Sequence, residues 1–386
     1  MTERIVVVGA SLAGVHAAEE LRAGGFLGQL VLLSAENEIP YDRPPLSKAF
    51  LAGGLGETEL ALRPADAYAA LGIELWLGAQ AAGLDAASRR VRTADGEVLP
   101  FDGLVIATGS RPRWPAGLPR LDGMYTLRTA ADARALAADF ARSPSVAVLG
   151  GGFIGAEVAA TARKLGLDVT LLEAAPSLME RGLGRELGDV AVGIHRDNGV
   201  DVRCGASVVG ATGSGRVDGL LLADGSRVAA DVVVVGVGNE PVTDWLADSG
   251  LELADGVVCD EFCATAVPGI VAAGDVARWR HPRHGLMRTE HHANAVEQGM
   301  AAARTLLGAR EPFAPVGYVW SDQYEHKIHT LGFRRPGDEA RMLAPGLTGF
   351  VRDGRLVAAA GIDARRELMR LRGTIDQGGP CPARTG

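Results

Sequence analysis

Two glycine-rich segments combine residue types and spacing suited to holding a pyrophosphate. In "SVAVLGGGFIGAEVAATARKLGLDVTLLEAAP", Gly150, Gly152 and Gly155 follow an apolar run from Val146 to Leu149 and precede a helical pattern through Lys164. A second apolar run then closes on Glu173. A strand, a tight glycine turn and a helix N-terminus in that order present backbone N–H groups to phosphate oxygens. An acid at the end of the next strand can accept from ribose hydroxyls. The segment "RIVVVGASLAGVHAAEELRAGGFLGQLVLLSAE" repeats the arrangement: Ile5 to Val8 as strand, Gly9 at the turn, a helical pattern from Gly14 to Arg22, a strand from Leu30 to Leu33, and Glu36. Here the middle glycine is Ser11, whose small side chain still lets backbone approach a phosphate. Two such units mean two bound dinucleotides, or one dinucleotide and a decayed copy.

The elements that position these turns are visible in the rest of the chain. Leu104 to Arg113 and Asp231 to Pro241 are apolar runs ending in glycine-rich turns, one on each side of the second unit, and Gly269 to Ala277 reads as a strand ending in Asp275. Strands apolar along their whole length belong to a parallel sheet covered on both faces. The expected fold is α/β, with two Rossmann-like dinucleotide-binding domains, the second inserted in the first, and a smaller C-terminal α+β domain. The expected divisions are 1–110 with 242–314, then 111–241, then 315–386. In the last part, "GYVWSDQYEHKIHTLGF" reads as strand, turn and strand. "GIDARRELMRLRGTI" reads as one helix with Leu368, Leu371 and Ile375 on a face, and "DQGGPCPARTG" as a disordered tail.

Composition sets limits. The 386 residues exceed one core, and the net charge of -8 argues against a nucleic-acid partner. No apolar run approaches the ~18 residues of a membrane span. The opening "MTERIVVVGA" predicts no leader peptide, and four scattered cysteines predict a reducing cytoplasm, not a disulfide framework. Cys259 and Cys263 form C-x-x-x-C without further ligands at zinc-site spacing, so no metal is expected.

The motifs "GASLAG", "PYDRPPLSK", "IATG", "GGGFIG", "AAGDVA", "EHHANAVEQG" and "WSDQY", in this order, make the chain similar to the FAD-dependent, NADH-oxidising ferredoxin reductases that feed oxygenases and cytochromes P450. The resemblance implies FAD in the first domain. Gly9, Ser11, Leu12, Ala13 and Gly14 would lie at its pyrophosphate, and Glu36 at its ribose. Arg43 and Lys48 would lie beside the phosphates and flavin, Ala81 at the adenine, Ala107 and Gly109 in the "IATG" turn, and Asp275 at the ribityl-pyrophosphate region. It implies NADH in the second domain, against Gly150, Gly152, Phe153, Ile154 and Gly155, with Glu173 on the ribose and Gly238 at the nicotinamide. Trp320 would stand near the flavin face that receives hydride. His292 occupies a position where the family commonly has an aromatic residue.

The stretch "IPYDRPPLSK", Ile39 to Lys48, contains no cysteine. In disulfide reductases of the superfamily this segment carries the cysteine pair that takes electrons from flavin, and in the NADH oxidase branch a single cysteine. Without a thiol relay, electrons leave the flavin directly, and a one-electron carrier such as a ferredoxin is the natural acceptor. The run Ala277 to Arg288 carries Arg278, Arg280, Arg283 and Arg288, and reads either as a solvated face or as a basic loop that docks an acidic ferredoxin. Lys327, Arg334 and Arg335 offer an alternative docking face. The competing functions are an NADH oxidase or peroxidase, and a flavin-dependent redox sensor.

Overall fold

The computed structural model describes residues 3–383. The chain forms two compact units. Unit 1 comprises Met1–Asp42, Glu57–Arg111 and Glu240–Pro315; unit 2 comprises Arg43–Gly56, Pro112–Asn239 and Val316–Gly386.

Unit 1 is built on a five-stranded parallel sheet in the order Ile270–Ala272, Gly103–Ile106, Arg4–Val8, Gln29–Leu33, Ile73–Trp76. Its strands are buried on both faces, with Val6, Val7, Leu30, Leu32, Leu104 and Val105 inaccessible to solvent, which is why they read as unbroken apolar runs. The returning segment Ile270–Ala272 pairs in parallel with Gly103–Ile106, as an interrupted nucleotide fold requires. Asp275 does not end that strand, however. It lies in a following 3-10 turn, Gly274–Val276.

The helix Leu12–Ala23 rises from the first strand and packs on the helix His292–Leu306. The contact is close enough that a Cβ on Gly299 would stand 2.3 Å from the Ala13 carbonyl oxygen, so only glycine fits there.

Unit 2 repeats the plan, with the parallel order Asp201–Cys204, Asp168–Glu173, Ser145–Leu149, Val232–Val235, Met124–Tyr125. It also contains a five-stranded antiparallel sheet, in the order Tyr318–Gln323, His326–Gly332, Arg355–Ile362, Leu347–Arg352, Glu339–Ala344. The strand, turn and strand expected from "GYVWSDQYEHKIHTLGF" are present, with Tyr324 at φ 55° in the turn.

The single helix expected after them is instead two, Arg365–Arg370 and Arg372–Gln377, because Gly361 and Ile362 still belong to a strand and the chain bends at Leu371. Leu368 and Ile375 nevertheless reach one core with Leu331, Leu343 and Leu356. Much of the expected disordered tail is ordered. Gly378 ends the last helix in the left-handed region, the Gly379 carbonyl accepts from Leu356 N, and Pro380 bridges to Arg355. The rest of that stretch, from Arg384 on, lies outside the described residues.

In both sheets the strand order reverses beside the first strand of the motif, the place where open α/β sheets bind ligands. There the backbone is crowded. A Cβ on Gly155 would lie 2.0 Å from the Gly150 carbonyl oxygen, and Gly150 itself, at φ +107°, has the Gly236 carbonyl on the side a Cβ would take. Gly155→Ala should therefore destabilise unit 2 by about 3 kcal/mol, the upper part of the range for overpacking, because only backbone movement relieves the clash. A denaturant midpoint equal to that of the parent would show that the helix can shift away without cost.

Candidate active site

In unit 1 the turn after Arg4–Val8 has Gly9 at φ +110°, where an added Cβ would meet the Ala107 carbonyl oxygen at 2.1 Å. The "IATG" turn is thus packed directly beside the glycine turn, and Ala107 N donates to the Val8 carbonyl. Gly14 is equally constrained, its Cβ position lying 1.8 Å from the Gly9 carbonyl oxygen. Ser11 is extended and its side chain makes no capping bond, so the first N–H groups of Leu12–Ala23 are left to a ligand. Gly274 closes on Ala13, whose Cβ is 2.9 Å from the position a Gly274 Cβ would take.

Asp275, next in the chain, accepts from Ser110 Oγ at 2.8 Å. Glu36 accepts from Tyr41 OH at 2.5 Å, and Ala81 opens the strand Ala81–Asp85. Gly109, at φ +69°, passes its carbonyl to Val242 N. His292 begins the helix His292–Leu306, and its Nε2 lies 3.0 Å from Asp42 Oδ1. Where the resemblance leads one to expect a ring for stacking, this chain places a polar His–Asp contact. The cradle of crowded glycines and unfilled helix N–H groups fits a dinucleotide pyrophosphate.

In unit 2, Gly152 caps the helix Phe153–Lys164 with no side chain over the helix end and open space on its Cβ side. Ile154 is exposed there, and Phe153 lies against Gly182. Glu173 accepts from Gly151 N at 2.5 Å through one oxygen and from Ala175 N at 2.7 Å through the other. The carboxylate is thereby held at the strand end, and each oxygen keeps a lone pair for a ribose hydroxyl. Gly238, at φ +106°, opens to free space and passes its carbonyl to Arg113 N. These features fit a second dinucleotide.

The charged groups of the segment Arg43–Gly56 have partners within unit 2. Arg43 donates to the Arg128 carbonyl at 2.5 Å, and Lys48 Nζ lies 2.9 Å from Glu157 Oε2. Pro44–Ser47 forms a 3-10 turn, for which the two prolines preset the backbone. Glu157 was not anticipated, though it has a sequence signal: it is an acid within the alanine-rich helix "FIGAEVAATARK", one turn beyond Phe153. It is only 5% exposed, and Ser47 Oγ and Ser321 Oγ also donate to it.

Trp320 lies on the strand Tyr318–Gln323, where alternation puts it on the face opposite Ser321, its ring 6.0 Å from that of Tyr318. The basic run is a hairpin, Ala277–His281 with Gly285–Met287, and not a loop. Alternation turns Trp279 and His281 inward and leaves Arg280 and Arg283 exposed. Arg278 donates to the Ala254 carbonyl at 2.7 Å, and Arg288 pairs with Glu290 and Asp255. Arg278 and Arg288 are therefore held by partners within the unit. Of the docking alternatives, Arg334 is likewise committed, to the carbonyls of Glu180 and Arg181.

Two parallel sheets, each with a glycine turn and an open helix N-terminus at its point of strand reversal, define a protein that binds two dinucleotides. The family model described as pyridine nucleotide-disulphide oxidoreductase matches residues 3–299, and one described as reductase C-terminal matches 318–385. The chain belongs to the pyridine nucleotide-disulphide oxidoreductase family and is an oxidoreductase with FAD and NADH as its cofactors. It is 38% identical, over 95% of its length and 91% of the relative's, to the chlorobenzene dioxygenase ferredoxin reductase component of Cupriavidus sp. (strain PS12). It is also 38% identical to putidaredoxin reductase of Pseudomonas putida, over 86% of this chain and 80% of that one. The structure of a covalent putidaredoxin reductase–putidaredoxin complex matches with a TM-score of 0.93 and 34% identity, covering 98% of this chain and 94% of that one.

The family name refers to a disulfide that this chain lacks in the segment Ile39 to Lys48. Cys259 and Cys263 are buried, with burial pushing the Cys263 thiol up to about 12, where it is inert as a nucleophile.

Were Glu173 to hold the ribose of NADH, a 2′-phosphate there would meet its carboxylate, and two unit charges about 4 Å apart repel by about 4 kcal/mol at an effective dielectric of 20. Solvent at this partly exposed site reduces that figure. NADH should be preferred to NADPH in kcat/KM by at least about tenfold, and Glu173→Ala should narrow the gap mainly by improving NADPH. Equal specificity constants in the parent would remove Glu173 from the ribose.

Proposed function

We propose that this protein transfers electrons from NADH through FAD, one at a time, to a ferredoxin that serves an oxygenase or a cytochrome P450. The balanced reaction takes one NADH and two oxidised ferredoxins to NAD+, a proton and two reduced ferredoxins. Bound FAD supplies the step from a two-electron donor to a one-electron acceptor. The observation that carries the reading is the absence of any cysteine from Ile39 to Lys48 in a chain with two dinucleotide cradles. The likeness to ferredoxin reductase components supports the choice of acceptor.

The protein's own residues bind and orient. In this reading the N–H groups at Ser11, Leu12 and Ala13 hold the FAD pyrophosphate, with Glu36 on the ribose, Ala81 at the adenine and Asp275 near the ribityl chain. Gly152, Phe153 and Ile154 receive the NADH pyrophosphate and nicotinamide, bordered by Gly238, and Glu173 takes the ribose. Arg43, Lys48 and Trp320 belong to the flavin and nicotinamide surroundings. The corresponding divisions are 1–110 with 242–314 for FAD, 111–241 for NADH, and 315–386 as the C-terminal domain. Among the described residues no helix is long and apolar enough to cross a membrane, and we place the activity in the cytoplasm.

The ferredoxin docks at the exposed residues Arg280 and Arg283, on a hairpin whose inward face is pinned by Trp279 and His281. Trp279 Nε1 donates to the Phe313 carbonyl and His281 Nε2 to that of Pro315. Exposed charges are screened over about 10 Å at 0.1 M salt, so ferredoxin reduction should slow steeply as salt rises, while reduction of the flavin by NADH responds far less. Arg280→Gln with Arg283→Gln should lower ferredoxin reduction at low salt and leave flavin reduction unchanged. A double variant matching the parent at every ionic strength would move the docking face elsewhere. NADH turnover that runs as fast on oxygen alone as with ferredoxin would replace the whole reading by that of an oxidase.

A further inference from the structure

The buried polar groups that the nucleotide motifs leave out form one chain within unit 2. Glu157 Oε1 lies 2.6 Å from Ser321 Oγ, Ser321 Oγ is 3.0 Å from Gln323 Nε2, and Gln323 Oε1 is 3.0 Å from His195 Nε2. His195 Nδ1 is 3.3 Å from Tyr324 OH. Glu157, Ser321, Gln323 and His195 are all buried, His195 and Ser321 completely.

The chemistry of one end dictates the direction of every bond. A carboxylate paired with Lys48 only accepts, so Ser321 spends its single O–H on Glu157. The Ser321 oxygen then has only lone pairs left, so Gln323 must turn its amide NH2 toward it and its carbonyl toward His195. A carbonyl accepts, so His195 carries its proton on Nε2. In the neutral ring Nδ1 is then bare and takes the proton of Tyr324. Burial supports both ends of this assignment: it holds His195 below its usual pKa, and raises that of Tyr324 to about 12.

We propose that Ser321, Gln323 and His195 are positioning residues for the Lys48–Glu157 pair in NADH-driven reduction, acting through a one-way hydrogen-bond chain that runs from Tyr324 to the Glu157 carboxylate. The proposal rests on the reading of unit 2 as the NADH site. Glu157 lies one helical turn beyond Phe153, so the pair stands at the nicotinamide end of that site. Bonds aligned in one direction polarise each other and strengthen the last, which fixes the carboxylate and through it the lysine. Removing Ser321 frees one carboxylate oxygen, and reversing or removing a more distant link weakens the Ser321 bond, in each case without touching the nucleotide cradle.

The test uses the FAD-loaded protein. In single-turnover reduction by NADH, Ser321→Ala should slow the flavin step roughly 10- to 100-fold, the worth of one hydrogen bond to a charged group. The NADH dissociation constant should change little. Gln323→Glu keeps shape but turns the donor into an acceptor, and should slow reduction comparably. Nitrogen NMR of the parent should show His195 as the neutral Nε2–H tautomer, a readout that needs no variant to fold. Parental reduction rates in Ser321→Ala, or an Nδ1–H or charged His195 in the parent, would overturn the proposal. A parent that NADH fails to reduce would overturn the nucleotide reading instead, and the tautomer would still decide the chain.

Discussion

Glu157 is a carboxylate held at 5% exposure within an alanine-rich helix. Left alone, a buried charge of this kind costs several kcal/mol. Unit 2 answers it with the ammonium of Lys48 and hydroxyls from Ser47 and Ser321. These donors come from the segment Arg43–Gly56 and from the antiparallel sheet near the C-terminus, so satisfying one charge ties three distant stretches of sequence together. Thr161, one turn further along the same helix, adds a bond to the Ser47 carbonyl at 2.8 Å. Removing either partner of the ion pair would leave the other charge buried and unmatched, and it is this penalty, more than the attraction itself, that makes the arrangement specific.

A second constraint acts on the backbone. In both parallel sheets the turn after the first strand passes within van der Waals reach of a carbonyl on the neighbouring loop, Ala107 for Gly9 and Gly236 for Gly150. Side chains are excluded, the chain can approach a pyrophosphate, and the helix N-termini remain uncapped by side chains. The same crowding that limits these positions to glycine leaves the helix N–H groups available to a ligand. Ser11 shows which part of the pattern is dispensable: the equivalent Gly152 has open space on its Cβ side, whereas Gly9 and Gly14 need the absence of a Cβ.

The basic hairpin shows how structure edits a sequence motif. Four arginines in a dozen residues read as one patch, yet strand alternation and local carbonyl and carboxylate partners leave only Arg280 and Arg283 exposed. Composition counts charges, while the pleat and the neighbouring backbone decide which of them face a partner.

The sequence by itself determined both nucleotide units, nearly to the residue. Apolar runs, turn glycines and closing acids are local signals, because a doubly covered parallel strand must be apolar throughout and a phosphate turn must lack side chains. It also showed that Ile39 to Lys48 holds no cysteine, which is a matter of composition in one segment. Where local signals overlapped it misread: "GIDARRELMRLRGTI" has helical spacing throughout, but pairing of Gly361 and Ile362 in a sheet overrode it. The partners of Lys48, Arg43 and His292 were decided only by tertiary structure. Long side chains take whichever acceptor the fold brings within reach, and those acceptors lie 109, 85 and 250 positions away, at Glu157, Arg128 and Asp42. The chain from Tyr324 to Glu157 is of the same kind, since no local pattern joins a helix histidine to a strand glutamine until packing excludes water from both.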